Sequence, residues 1–493
     1  MRLISELEWS EFFESISLVD DVLRSGSTFA QMDFVTRNLY RSGIEELARG
    51  AKLTEVQIAR AAVAAASDST AVTDGQRDPG YHLIAAGRRA FETSIGYRAP
   101  LSRLLIRWIK RRGAGTYISA ILLFAAIILA LPLLALGAEQ VQPWKFAWLA
   151  LLGVIPALDA AVTLVNRAVT SGIGATVLPG LALREGVPPP LRTLIAVPTL
   201  LTTPEAIEEE LERLEIHHLA SPEGELHFAL LSDWVDAPTE HTAADAALLQ
   251  TAIRGIARLN RRYAPVASVN RFLLLHRRRV WSEVQQQWIG WERKRGKLHE
   301  LNRLLRGATD TTFMDIDSQP PRVPLDVRYV ITLDADTRLP RESLRRLIGK
   351  LSHPLNKPRF DQGTGRVVEG YAVLQPRVTP SLPMGREGSL YQRIVSSAPG
   401  IDPYASVVSD VYQDLFGEGS YAGKGIYDVD AFEAALAHRA PEGTLLSHDL
   451  FEGIFARAGV VTDIEVVEEF PARYDVAAAR QHRWARGDWQ LLP

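Results

Sequence analysis

Hydrophobic positions change their spacing along the chain, and the spacing divides it into three stretches. Up to residue 112 apolar residues recur at helical intervals, as in Phe29-Ala30-Gln31-Met32-Asp33-Phe34-Val35 and Ile44-Glu45-Glu46-Leu47-Ala48. Thr54, with Gln57 three places on, forms a capping-box pattern ahead of an Ala-rich run. Residues 1–112 carry no evident chemistry, and a helical packing module is expected there.

A continuous uncharged stretch follows, from Gly113 to Ala138. Its core, Tyr117 to Gly137, is long enough to span a hydrocarbon layer of roughly 30 Å. Pro132 predicts a kink, which membrane helices tolerate. A short loop, Glu139 to Pro143, leads to a second apolar stretch from Trp144 to Val165, followed by Arg167. Trp144 and Trp148 suit an interfacial position. Asp159 interrupts this second stretch, and two placements stay open for it: near the headgroups, or paired in the interior. A buried hairpin of a soluble protein is the alternative for both stretches. The uncharged length of the first weighs against it.

Gly186-Val187-Pro188-Pro189-Pro190 signals a linker. From Arg192 short apolar runs alternate with helices. Leu194 to Pro198, His227 to Asp233 and Arg328 to Asp334 read as strands, and Thr203 to Leu219 and Thr242 to Tyr263 as helices. That alternation predicts an α/β unit with a mostly parallel sheet. In such sheets ligands bind beyond the carboxyl ends of the strands.

Composition and charge refine this picture. With 47% hydrophobic and 23% charged residues the chain is a folded protein, and a net charge of −3 gives no field that would favour nucleic acid. The absence of cysteine excludes disulfides and thiolate metal sites. A metal would be held by oxygen or histidine, which favours Mg²⁺ or Mn²⁺. Six cations, Arg98, Arg103, Arg107, Lys110, Arg111 and Arg112, precede the first apolar stretch, and the hairpin loop has almost none. Cations are retained on the cytoplasmic side, so both flanks of the hairpin are expected there. The resulting organisation is a cytoplasmic helical region over 1–112, two transmembrane helices over 113–170, a linker over 171–191 and an α/β domain over 192–493. Met1-Arg2-Leu3-Ile4-Ser5-Glu6, with an early acid and no apolar run, does not read as a secretory signal, and none is expected. The chain stops abruptly after Trp489-Gln490-Leu491-Leu492-Pro493, so a longer protein is expected.

Candidate chemistry gathers at the predicted strand ends. Asp233 closes one strand, and Asp334-Ala335-Asp336 closes another. Alternate carboxylates at a strand end can hold a divalent cation, which neutralises a diphosphate. The basic run Glu292-Arg293-Lys294-Arg295-Gly296-Lys297 precedes the second of these strands, where it could reach phosphate or remain a solvated helix face. Phe416 to Gly425 is Gly-rich without the spacing of a P-loop. Asp449, in Leu446-Ser447-His448-Asp449-Leu450, reads either as a helix N-cap or as a general base. Arg480-Gln481-His482-Arg483-Trp484-Ala485-Arg486-Gly487 packs cations and a Trp together, as phosphate and sugar recognition would require.

The order of these motifs resembles the membrane-bound family 2-like glycosyltransferases, the cellulose and hyaluronan synthase type, over roughly Arg192 to Gln490. The resemblance implies a GT-A type fold. It implies donor contacts from Asp233, Lys297, Asp334, Gln481 and Arg483, and metal on Asp336 with Asp334. It further implies acceptor contacts from Gly419, Ser420 and Trp484, and a catalytic base at Asp449. The sequence departs from that pattern in places: Trp234 replaces a second acid, and only the Asp of the usual Thr-Glu-Asp is kept in Ser447-His448-Asp449. Anchored on Trp484, the Gln position of Gln-x-x-Arg-Trp holds Arg480, and Gln481 falls one residue late.

Ser-His-Asp-Leu-x-Glu-Gly and Arg-Gln-His-Arg-Trp-x-Arg-Gly-Asp-Trp-Gln together look like the cyclic β-1,2-glucan synthase family, along essentially the whole chain. That resemblance implies UDP-glucose as donor, inverting transfer to a growing β-1,2-glucan, and a bacterial inner membrane with the catalytic domain cytoplasmic. It also implies further membrane helices and a phosphorylase-like domain beyond Pro493. Two other readings remain: another processive polysaccharide or glycolipid synthase, or a membrane-anchored module that only binds nucleotide or glucan.

Overall fold

The computed structural model describes residues 9–68, 73–136, 142–263, 265–266, 269–283, 285–381, 388–395, 410–437, 439 and 448–491. Its first part is helical: α1 (Trp9–Ile16), α2 (Leu18–Gly26), α3 (Phe34–Gly50), α4 (Glu55–Ala66), α5 (Pro79–Leu83), α6 (Arg88–Ser94) and α7 (Leu101–Arg112). The expected capping box starts α4, with Thr54 and Gln57 satisfying each other's backbone donors. The apolar stripes of these helices close on a core that includes Leu23, Phe29, Tyr40, Ile44, Leu47, Ile58, Leu83 and Phe91.

Next come α8 (Ala114–Leu136) and α9 (Pro143–Ile173), both long and apolar enough to cross a membrane and mostly exposed along their lengths. Tyr117, early in α8, donates through its hydroxyl to Asn166 Oδ1, late in α9, at 2.7 Å, so the two helices run antiparallel. Asp159 is exposed on α9 and has no ion pair among the described residues. α9 continues past Val165 into the stretch expected as linker. The rest of that stretch is a tight strap. Leu181 N donates to Gly349 O at 2.9 Å, Ala182 N to Gln31 O at 2.8 Å, and Gly180 N to Thr36 Oγ1 at 2.7 Å. It thereby ties the helical region to the α/β unit.

The α/β unit runs β1 (Thr193–Leu201), α10 (Pro204–Ala220), β2 (Leu226–Trp234), α11 (Asp245–Arg262), β3 (Phe272–His276), β4 (Val280–Ser282), β5 (Gln287–Ile289), α12 (Arg293–Leu305) and β6 (Tyr329–Thr332). It continues with β7 (Thr337–Arg338), α13 (Ser343–Ser352), β8 (Arg359–Asp361), β9 (Arg366–Glu369), β10 (Val373–Pro380) and α14 (Leu390–Val395). α15 (Val411–Phe416), β11 (Gly425–Asp428), α16 (Val429–Leu436), α17 (Asp449–Ala456), β12 (Ala458–Glu468) and α18 (Tyr474–Trp489) complete it. Eight strands form one mostly parallel sheet in the order β3-β2-β1-β6-β11-β10-β12-β7. The exceptions are β11, antiparallel to β6 and β10, and β7, antiparallel to β12.

Period-2 alternation gives the sheet two buried faces. Ile195, Val197, Phe228 and Leu230 pack into one core with α10, α11 and α13. Leu194, Ala196, Ala229 and Leu231 pack into the other with α12, α16 and α17. The chain goes from β1 to β2 and β3 on one side and returns to β6 on the other. β1 and β6 therefore straddle a topological switch point, where open sheets leave a crevice.

Candidate active site

Three separate segments converge beyond the carboxyl end of β6. Thr337 N donates to Asp334 O at 3.0 Å, and Asp334 N to Thr337 Oγ1 at 3.2 Å. These two bonds fold Asp334-Ala335-Asp336 into a tight turn. β7 begins inside that turn and pairs with the end of β12, placing Glu468 opposite Thr337. One oxygen from each of Asp334, Asp336 and Glu468 then lies within 4.8 Å of the others.

Cations surround these acids. Lys294, in the first turn of α12, donates through Nζ to Asp334 Oδ1 at 2.5 Å and to Gly423 O at 2.9 Å. Lys424 Nζ is 3.1 Å from Asp334 Oδ2 and is ion-paired with Glu468. Arg480, on α18, reaches Glu468 Oε2 at 3.3 Å and Asp336 Oδ2 at 3.9 Å. Burial works to raise the Asp334 pKa, but Lys294 and Lys424 outweigh it and hold the group at about 2. Burial lowers Lys424, with Asp334 pulling the other way. An all-oxygen donor set at this spacing fits a hard divalent cation. Lys424 and Arg480 satisfy the same oxygens, so a metal here would share them or displace these cations.

Asp449 borders the cluster. It is the first residue of α17, and the cap position belongs to His448, whose side chain makes no capping bond. Of the two readings open from sequence, the capping one therefore does not hold. The Asp449 carboxylate makes no hydrogen bond among the described residues. Gly423 faces it so closely that a Cβ there would lie 2.7 Å from both carboxylate oxygens, and Gly423 also has a φ of +77°. Burial raises the Asp449 pKa; Lys294 opposes the rise and Asp334 reinforces it. One turn on, burial and then the charge of Asp449 push Glu452 up to about 8. His448 is lowered to about 4 by burial and then Arg295, and its buried Nε2 has no hydrogen-bond partner among the described residues. Ser447 lies outside the described residues.

Asp233 and Lys297 occupy different surroundings. Each is 3% exposed. Arg277 grips Asp233 through two bonds, Nε to Oδ1 at 2.7 Å and Nη2 to Oδ2 at 2.9 Å. Lys297 Nζ lies 3.1 Å from Asp233 Oδ2 and donates to Thr199 O at 2.9 Å and Leu231 O at 3.2 Å. Arg277 also pairs with Glu300 Oε2 at 2.8 Å. Burial lowers Lys297 to about 8 despite the pull of Asp233. The pair sits in a closed ion network beneath the strand ends rather than in the open cluster.

The remaining candidates divide as follows. Gly419 and Ser420 lie half-buried in the loop that leads to Gly423 and Lys424. Gly419 N donates to Ala458 O at 2.8 Å, and a Cβ on Gly419 would lie 2.7 Å from Val460 Cγ2. On α18 the Arg480 guanidinium stacks 4.7 Å from the Trp484 ring centroid, so these two share the face toward the acids. Gln481 and Arg483 are exposed on its flanks. Sequence reasoning singled out neither Lys424 nor Glu468, and the resemblance implied Lys297 as a donor contact, whereas Lys294 is the lysine of that run beside Asp334. One turn of helix separates the two lysines, and the run did not show which would face the acids. Glu468 ends an 11-residue strand whose length was the available signal.

No protein-family model matches the chain. It is 46% identical, over 505 aligned positions, to the cyclic β-(1,2)-glucan synthase NdvB of Rhizobium meliloti (strain 1021). The alignment takes in all of this chain and 17% of that protein, so the chain spans about a sixth of the relative it matches. With 46% identity over its whole length, the chain belongs to the cyclic β-1,2-glucan synthase family.

Proposed function

We propose that this chain is the glycosyltransferase portion of a membrane glucan synthase, with a GT-A type site that moves glucose from UDP-glucose to a growing β-1,2-glucan with inversion. The observation that carries this reading is the Asp334, Asp336 and Glu468 cluster, ringed by Lys294, Lys424 and Arg480, with the Asp449 carboxylate, which makes no hydrogen bond among the described residues, beside it. Cations around a crevice at the switch point suit a nucleoside diphosphate. A carboxylate whose pKa is raised, and whose oxygens are not committed elsewhere, suits proton abstraction.

In this mechanism the 2-hydroxyl of the acceptor sugar attacks the anomeric carbon. Asp449 takes the hydroxyl proton as the new C–O bond forms, and the bond to the diphosphate oxygen breaks. Lys294, Lys424 and Arg480 stabilise the charge that develops on the leaving UDP. Asp334, Asp336 and Glu468 would hold a Mg²⁺ or Mn²⁺ ion, which when bound neutralises diphosphate charge. Trp484 offers an exposed ring for stacking on the acceptor, and Gly419 and Ser420, half-buried in the loop that leads to Gly423 and Lys424, would contribute to the acceptor side.

α8 and α9 would cross the bacterial inner membrane, keeping the α/β unit cytoplasmic with its substrate. The glucan would pass to membrane and phosphorylase-like domains elsewhere in the full protein. The test is UDP release from UDP-glucose, with and without β-1,2-glucan primer, in Mg²⁺, Mn²⁺ and EDTA. Primer-stimulated release that is lost in EDTA and in Asp336→Ala is expected. Full activity in EDTA would remove the metal role, and a product with other linkages would reassign the enzyme within its class.

A further inference from the structure

Helix α7 is packed inside out. An amphipathic helix of a soluble domain turns its apolar stripe to the core and its charges to water. Here the cationic side is turned inward: Arg107 pairs with Glu92 at 2.6 Å, and Arg103 pairs with Glu46. Those acids belong to α6 and α3, so the ion pairs fasten α7 to the helical region by its polar face. Leu101, Leu104, Leu105 and Trp108 follow i, i+3, i+4, i+7 spacing and form one stripe on the opposite side. They are 84%, 49%, 58% and 51% exposed, and no residue of α7 is buried.

Two features fix what covers the stripe. The first is continuity: α7 ends at Arg112, and α8 begins at Ala114. Gly113 alone separates them, with φ +63° and ψ −150°, a region essentially closed to residues with a Cβ. The chain thus has a corner built for glycine between an exposed apolar stripe and an apolar span. The second is charge. Arg111 and Arg112 border the stripe at its span end and have no acidic partner among the described residues. Arg112 stacks 5.1 Å from the Trp108 ring centroid. Cations on apolar stems beside Leu and Trp are what the headgroup boundary of a bilayer selects.

We propose that α7 lies in the membrane interface, its Leu101-Leu104-Leu105-Trp108 stripe in the acyl boundary and Arg111 and Arg112 on anionic lipid phosphates. It would hold the helical region against the bilayer and set the height of the α/β unit above it. The proposal rests on reading α8 as a span.

The absence of cysteine allows single nitroxide labels on the full chain. The chain is reconstituted in phosphatidylcholine vesicles with or without phosphatidylglycerol, and collision with oxygen and with a water-soluble nickel chelate is measured. Labels go at Leu105, at Leu123 in α8, and at exposed Glu205 as an aqueous reference. The expected result is an oxygen-to-nickel ratio at Leu105 several-fold above Glu205 and below Leu123. Leu105 matching Glu205 while Leu123 reads as lipid overturns the interfacial placement and leaves the span intact. Leu123 matching Glu205 overturns the span reading, and this proposal with it. A Leu105 label shielded from both reagents overturns lipid as the occupant and assigns the stripe to protein. Replacing Arg111 and Arg112 by Gln should lower the Leu105 ratio only where phosphatidylglycerol is present. An unchanged ratio there overturns the phosphate contacts.

Discussion

β2 and β6 flank β1 in the same sheet, and an aspartate stands at the carboxyl end of each, but the two carboxylates have opposite surroundings. Asp233 is saturated: Arg277 binds it bidentately, Lys297 adds a third contact, and Glu300 balances the spare charge of Arg277. Asp334 is half-exposed and shares its cations with Asp336 and Glu468 around an opening. The difference lies in supply. Around Asp233 the charges of Arg277, Lys297 and Glu300 are matched within the protein. Around Asp334 and Asp449, carboxylates and ammonium groups are held in an arrangement that an incoming diphosphate, metal or hydroxyl could complete.

The sharpest way to break this comparison is to remove one partner from each region. Arg277 is 0% exposed, and Arg277→Met would strand Glu300 as a buried charge and leave Asp233 only Lys297. The expected loss is about 3–5 kcal/mol of stability, read from denaturant unfolding of the detergent-solubilised chain. Asp336→Asn should unfold close to the parent while losing divalent-dependent UDP release. If Arg277→Met keeps the parent's stability, the network is not closed, and Asp233 returns as a candidate donor ligand.

Within the open region the largest expected effect on turnover is at Asp449. Asn is nearly isosteric, and Asp449 caps no helix, so Asp449→Asn leaves the fold untouched. Transfer should fall by about 10²–10⁴-fold, with UDP binding retained, in parallel turnover and equilibrium-binding assays. His448→Ala should cost much less, because its imidazole is neutral and its Nε2 has no hydrogen-bond partner among the described residues. Parent-like turnover in Asp449→Asn together with a loss in His448→Ala would move the base to the histidine.

Within the open region two carboxylates near the crevice predict opposite pH behaviour. Asp334 is held at about 2, below the unfolded value of 3.8, so its contribution to stability is present above 3.8 and is lost as pH falls through 2. Glu452 is raised from 4.5 to about 8, so its contribution is full below 4.5 and is lost as pH rises through 8. Gln mimics the protonated acid and has no proton to lose. Glu452→Gln should therefore flatten the fall in unfolding midpoint between about pH 5 and pH 8. A fall that persists in the variant would trace the titration to another group.

How far the sequence anticipated all this depends on how local each signal was. β1, β2, β6, α10 and α11 were legible because each has its own period and its own flanking signals; Thr203, for instance, caps α10 through its side chain. The Asp334-Ala335-Asp336 turn was legible because strand and acids are adjacent in the chain. Lys424 and Glu468 were not, since they reach the turn only through the pairing of β12 with β7 and of β11 with β6. The closure around Asp233 was equally hidden: Arg277 and Glu300 lie 44 and 67 positions away, and no local pattern ties them to it. Family resemblance points to the strand-end acids as a set but does not report which of them the protein itself neutralises.

The smallest effect sharpens the comparison at the level of one helix. Arg480 and Arg483 are both cations on α18, and sequence registers alone favour Arg483 as the donor contact. In the structure Arg480 turns to Glu468 and Asp336, whereas Arg483 is exposed to solvent. A charge-assisted hydrogen bond contributes about 1.5–3 kcal/mol, and loss of the lower figure is about a tenfold change. Arg480→Ala should therefore raise the KM for UDP-glucose by about tenfold or more. Arg483→Ala, removing an exposed charge that has no ion pair among the described residues, should change it by about twofold at most. Steady-state kinetics on both variants at fixed Mg²⁺ decides the matter. A larger KM increase in Arg483→Ala would mean that α18 rotates when donor binds, bringing its flank toward the cluster and turning Arg480 away.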